Sequence, residues 1–119
     1  MTIHVKLIQP ITTHGIRKDD HLSSMKLDDL KVTAKGIDIG PNSIECEYEE
    51  AMSQPDTILK IIDAENEGCD AAVIDCMGDP GLKGARECVS IPVVGPCETA
   101  MHYASTVSYT HLRAHETQR

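Results

Sequence analysis

The chain has 119 residues, 40% hydrophobic and 25% charged, with a net charge of -8 at neutral pH. That is one small domain with enough apolar content for a core, and the acidic balance, the lack of Trp and Phe and the presence of only three Tyr exclude a basic or aromatic surface for nucleic acid. No apolar run approaches the ~20 residues of a membrane span, and the residues after Met1 alternate rather than forming an apolar leader, so the expected location is the cytoplasm.

At the start of the chain Ile3, Val5 and Leu7 alternate with His4 and Lys6, the pattern of a strand that ends at Gln9-Pro10. The loop Ile11-Thr12-Thr13-His14-Gly15 leaves its carboxyl end, and its hydroxyls and N–H groups suit a bound carboxylate as well as a helix cap. A short helix is expected over 17–25 and a second strand around 31–37. Gly40-Pro41-Asn42-Ser43 is a turn. The glutamates of 44–52 read as a solvated face near a helix start. Ser53-Gln54-Pro55-Asp56 reads as a cap with Pro in the first turn, opening a helix over 57–67 whose apolar stripe is Ile58, Ile61 and Ile62 and whose stop is Gly68. The run Ala71-Ala72-Val73-Ile74 is a buried parallel strand, broken after Cys76 by Gly78, Asp79, Pro80 and Gly81. A helix over 82–89, a strand over 91–94 and a helix from near Glu98, carrying Met101 and His102, complete the order. Strands alternating with helices predict an α/β fold, a parallel sheet of about four strands with helices on both faces. There is no glycine-rich dinucleotide motif after the first strand and no P-loop.

The five cysteines are odd in number and contain no CxxC, which argues against a disulfide framework and against a zinc site. Most suit packing roles as reduced thiols. Cys76 differs by position, because ligands of open α/β sheets sit beyond the carboxyl ends of the strands. The helix opened by Pro80 has free N–H groups that can face the thiol and favour its anion. A buried structural cysteine fits the same position.

Ile74-Asp75-Cys76-Met77-Gly78-Asp79-Pro80-Gly81-Leu82, then Ile91-Pro92-Val93-Val94-Gly95, and before both Gly40-Pro41-Asn42-Ser43-Ile44-Glu45 with Tyr48 and Glu49, together resemble the first half of the aspartate/glutamate/hydantoin racemase family. The resemblance covers about 3–104. It implies one half of a two-domain fold, an isomerase that inverts a carbon without cofactor, and a small-molecule substrate, an amino acid or a hydantoin. Two thiols, one from each half, would act from opposite faces of the carbon. Cys76 matches the first of them; the second has no counterpart here, and Cys97 would approach from the same wall. The resemblance assigns substrate contact to Pro10, Thr12 and Thr13 after the first strand, to Ser43, to Met77 and Gly78 beside the thiol, and to Glu98. Many members read Asn-Pro-Asn-Thr where this chain has Gln9-Pro10-Ile11-Thr12, a change that removes one side-chain amide and lengthens the other.

Residues 106–119 carry one acid and two arginines and no strand pattern. They are expected to be foreign to the family domain at 1–105, as read-through of adapter, vector or out-of-frame DNA; a genuine terminal helix is the alternative. A domain lacking its second half would expose its interdomain face and self-associate. A different class of function is a non-catalytic α/β module binding a small carboxylate or a soft metal, and decarboxylases and cis-trans isomerases share the fold. Metal binding is not expected, since no ligand pair has the usual spacing.

Overall fold

The computed structural model describes residues 1–13 and 27–117, with side chains through residue 107. Four strands, β1 (Ile3–Gln9), β2 (Leu30–Gly36), β3 (Ala71–Ile74) and β4 (Val93–Val94), form one sheet in the order β2-β1-β3-β4, all parallel. Three helices are described: α1 (Glu47–Asn66), α2 (Leu82–Cys88) and α3 (Pro96–Thr117). The helix expected over 17–25 lies outside the described residues.

The core lies between the sheet and two helices. Ile8, Ala72, Ile74 and Val93 project from one sheet face and close on Ile61 of α1 and on Leu82 and Ala85 of α2, all nearly sealed from solvent. Complete burial of such side chains is worth ~1.5–3 kcal/mol each. Ile8 and Ile74 are register partners on adjacent strands, so the packing that holds α1 down also fixes the pairing of β1 with β3.

The strands fall where alternation and apolar runs place them, but three element starts differ from expectation. The helix expected at 57–67 begins at Glu47, and Pro55 sits inside it. Glu47, Glu49 and Glu50 occupy its first turn, where the helix dipole favours negative charge. Glu49 also reaches back to accept the Glu45 N–H at 2.6 Å. Ser53 and Thr57 do not cap; their hydroxyls donate to the Glu50 and Ser53 carbonyls within the helix. Asp56 instead accepts the N–H groups of Asp38 and Ile39, tying α1 to the end of β2. β4 is shorter than expected because Pro92 has no N–H, while the N–H groups of Ser90 and Ile91 go to the Glu65 carboxylate. α3 starts two residues before Glu98, with Pro96 at the first helical position, where a missing N–H costs nothing.

Gly68 stops α1 as expected. Its φ of +91° permits the left-handed closing turn, in which Cys69 N–H reaches the Ala64 carbonyl and Gly68 N–H the Glu65 carbonyl. The chain then enters β3, pinned by Asp70, whose carboxylate accepts the His4 N–H at 2.8 Å.

Candidate active site

The strand order reverses direction between β1 and β3, and an open parallel sheet leaves a crevice beyond the strand ends at such a point. The residues there are Gln9, Pro10 and Ile11 after β1, and Asp75 and Cys76 after β3. The third side comes from the loop after β2. Thr12 N–H donates to the Pro41 carbonyl at 2.9 Å, the Thr12 hydroxyl to Asn42 Oδ1 at 2.6 Å, and the Thr13 hydroxyl to the Asn42 carbonyl at 2.8 Å. This clamp brings Ser43 and Ile44 over Pro10, and the whole encloses a cavity of about 250 Å³. The Cys76 thiol is free and half-buried at its edge.

The segment after Cys76 is built around Asp79. Its N–H donates to the Cys76 carbonyl at 3.0 Å, and its backbone takes a φ of +50°, unusual for a side-chain-bearing residue. In that conformation its carboxylate accepts the first free N–H groups of α3, Cys97 N–H at 3.0 Å and Glu98 N–H at 2.8 Å. Gly95 makes the approach possible, since a Cβ there would lie 2.5 Å from the Asp79 carboxyl carbon. The start of α3 is therefore filled by the protein's own carboxylate. α2 begins at Leu82, as expected, and is seven residues long.

Glu98 faces α2. Both its oxygens accept from Arg86, at 2.7 and 3.0 Å, and Arg86 also donates twice to the Val93 carbonyl. The guanidinium holds the Glu98 carboxyl below the usual carboxylate range, and Glu98 in turn raises Arg86. Glu98 lines a second cavity of about 350 Å³ together with Gln54, Gly78, Asp79 and Lys83.

The sequence-predicted residues thus separate. Pro10, Ser43 and Cys76 line the first cavity. Thr12 and Thr13 hold the loop that walls it. Met77 is solvent-exposed, while Gly78 and Glu98 border the second cavity. Cys97, the second residue of α3, lines neither cavity, and its N–H donates to Asp79. Sequence reasoning missed Gln9, Ile11, Ile44 and Asp75 as lining residues and Asp79 as the clamp of α3. Adjacency to Pro10 and Cys76 was the available signal for Gln9 and Asp75; nothing local marks Asp79, whose partners lie 18 and 19 residues away. Among the described residues no group of three or more His, Cys, Asp or Glu is placed to hold a metal ion, and no helix is long and apolar enough to cross a membrane.

The family model for Asp/Glu/Hydantoin racemase matches residues 20–112. A hydantoin racemase of Pseudomonas sp. (strain NS671) is 42% identical over 106 residues, covering 87% of this chain and 43% of the relative. One from Rhizobium meliloti is 38% identical over 108 residues, covering 89% of this chain and 45% of the relative. The chain therefore spans less than half the length of these curated relatives. An allantoin racemase structure from Klebsiella pneumoniae superposes with a TM-score of 0.81 at 29% identity, over 88% of this chain and 44% of that one. With its parallel α/β sheet and a family match across most of its length, the chain belongs to the Asp/Glu/Hydantoin racemase family.

Proposed function

We propose that the chain supplies one wall of the active site of a cofactor-independent racemase, acting at a carbon next to a carbonyl in an amino acid or a hydantoin. The observation that carries this reading is the Cys76 thiol at the mouth of the cavity where the sheet order reverses. Relatives that are hydantoin and allantoin racemases support the substrate class.

In this reading the Cys76 thiolate removes the proton from one face of the carbon, and the charge left behind spreads onto the neighbouring carbonyl. A thiol from an opposing wall delivers a proton to the other face. Two groups are required because inversion needs access from both sides. The opposing thiol belongs to a second half that this chain does not contain, consistent with its coverage of 43–45% of the relatives. Pro10 and Ser43 contact substrate, and Thr12 and Thr13 hold the Ser43 loop against it. Met77, Gly78 and Glu98 serve the larger bound groups beyond the thiol. The domain comprises residues 1–105, and 106–119 are an appendage foreign to it, a division supported by composition alone, since α3 runs continuously through both.

A single thiolate can remove a proton, exchange it with solvent and return it to the same face. In D₂O the chain is expected to place deuterium on the ring carbon of a 5-substituted hydantoin with retention of configuration, and Cys76→Ser to abolish this above the spontaneous rate. Cys76-dependent racemisation by this chain alone contradicts the two-wall division. Exchange that persists in Cys76→Ser removes Cys76 from the chemistry.

A further inference from the structure

Asp79 commits its N–H, its carbonyl and both carboxylate oxygens to different partners. The N–H donates to the Cys76 carbonyl at 3.0 Å, and the carbonyl accepts the Leu82 N–H, at the start of α2, at 3.2 Å. Oδ1 accepts the Cys97 N–H at 3.0 Å and Oδ2 the Glu98 N–H at 2.8 Å. One residue therefore joins the thiol loop to the starts of two helices. Its φ of +50° lies in the region that favours glycine, although the fully buried Pro80 behind it biases the preceding residue toward extended backbone. A side-chain-bearing residue stays in such a conformation only where its surroundings over-determine it, and residues of this kind gather at functional sites. Gly95 makes the same demand from the other side, since a Cβ there would meet the Asp79 carboxylate.

The sheet holds the chain as far as Asp75, whose N–H donates to the Ile8 carbonyl at 2.7 Å. Met77 and Gly78 beyond the thiol are exposed. Cys76 thus lies between two anchors, the end of β3 on one side and Asp79 on the other. The rest of the cavity lining is held separately. Pro10, Ile11, Ser43 and Ile44 are kept in place by the bonds of Thr12 and Thr13 to Pro41 and Asn42, none of which involves Asp79. The fit of a ligand and the aim of the thiol therefore depend on different residues.

We infer that Asp79 is a positioning residue for Cys76: its carboxylate, seated on the first turn of α3, holds the left-handed end of the thiol loop and so keeps the thiol at the cavity edge. This rests on the racemase reading of the Cys76 cavity and adds to it a residue that touches no substrate. Proton removal needs the sulfur aligned with the reacting carbon, and a misplacement of ~1 Å can cost ~100-fold in rate. Loss of the seat is therefore felt in turnover and not in binding.

The test follows Cys76-dependent deuterium uptake by 5-methylhydantoin in D₂O in three variants. Asp79→Gly keeps the left-handed backbone and drops the carboxylate. Gly95→Ala keeps the carboxylate and denies it the seat. Asp79→Asn keeps a side-chain oxygen that can accept from α3. The expected result is a kcat lower by about tenfold or more in Asp79→Gly and Gly95→Ala with KM within about twofold of native, and a kcat within about threefold of native in Asp79→Asn. Iodoacetamide labelling gives a second readout that needs no turnover. Cys76 should react several-fold faster in Asp79→Gly and Gly95→Ala, while exposed Cys46 and Cys88 keep their rates and buried Cys69 stays protected, which shows the fold intact. An unchanged kcat in folded Asp79→Gly overturns the inference, as does a higher KM at constant kcat, which would place Asp79 in binding. A loss in Asp79→Asn equal to that in Asp79→Gly overturns the role of the seat in favour of charge. Gly95→Ala decides where Asp79→Gly fails to fold. If the native chain takes up no deuterium, the racemase reading fails by itself; Cys76 labelling then decides the role of Asp79, and equal rates in native chain and variants overturn it.

Discussion

At the scale of single residues, five cysteines of one chain occupy different environments, and their chemistry should differ accordingly. Cys69 is 3% exposed at the end of α1, and burial pushes its thiol above the usual range. Its Sγ lies 3.6 Å from His4 Nδ1, and the other nitrogen of that ring lies 2.7 Å from the Thr33 hydroxyl. Cys46 and Cys88 are exposed. Brief treatment with iodoacetamide followed by peptide mass spectrometry should label Cys46 and Cys88 well before Cys69. A folded-state pKa raised above the unfolded one means that the stabilising contribution of the Cys69 thiol is complete below the ordinary thiol range and is lost as pH climbs through the raised value. Gly95 is a second residue with a definite expectation. Gly95→Ala forces the Asp79 carboxylate from the N–H groups of Cys97 and Glu98, and the loss of such a cap costs ~1–2 kcal/mol. Urea unfolding of Gly95→Ala and Asp79→Ala should give similar losses, and their combination little more than either alone, because both remove the same contact.

At the scale of elements, α1 shows where local signals mislead. Ser53-Gln54-Pro55-Asp56 carries the expected marks of a helix start, yet it lies in the interior of a 20-residue helix. The stronger forces are tertiary and electrostatic: Asp56 is drawn to the backbone of Asp38 and Ile39, and three glutamates gather at the true first turn. Pro55 then sits exposed in mid-helix, where it removes a hydrogen bond at a cost of ~3 kcal/mol, partly offset by its stiffening of the unfolded chain. Pro55→Ala is accordingly expected to stabilise the protein by ~1–2 kcal/mol in urea titration. By contrast β1, β3 and the stop at Gly68 were legible, because alternation, a short apolar run and a glycine that must turn left-handed are all local properties. Cys76 was legible for a related reason: the end of a recognisable parallel strand is a place before any partner is known. Gln9 was not, because an amide beside a proline looks like any strand end until the neighbouring strands bury it at the cavity wall. Between α2 and α3, the Arg86–Glu98 pair should fade in acid. The Glu98 carboxyl is held below its ordinary range, so its contribution is whole above that range and disappears as pH falls through the lowered value. The difference in urea midpoint between the native chain and Glu98→Gln, followed from about pH 7 to about pH 3, is expected to be small and to shrink toward zero.

At the scale of the molecule, the described core belongs to one sheet face with α1 and α2, whereas α3 is held by polar contacts at its first turn. Removal of residues 106–119 should therefore change unfolding stability by no more than ~0.5 kcal/mol, as for surface changes away from the core. Ile39, Tyr48, Met52 and Met77 are all substantially exposed. Tyr48 and Met52 stand one turn apart on α1, and the Gly78 loop lies against Glu50 of the same helix. These residues are exposed apolar surface, and light scattering should show concentration-dependent association that Met52→Lys and Met77→Lys together reduce.

The seat of Asp79 on the start of α3 also has a mechanical meaning. The Asp79 N–H, donating to the Cys76 carbonyl, and its carboxylate, accepting from Cys97 and Glu98, tie the thiol loop closely to a 22-residue rod. A rod held at one end acts as a lever: a tilt imposed far along α3 arrives at Asp79 as a small rotation, and the loop bearing Cys76 must turn with it. The thiol can thus be aimed by whatever grips the helix at a distance, without any rearrangement of the sheet beneath.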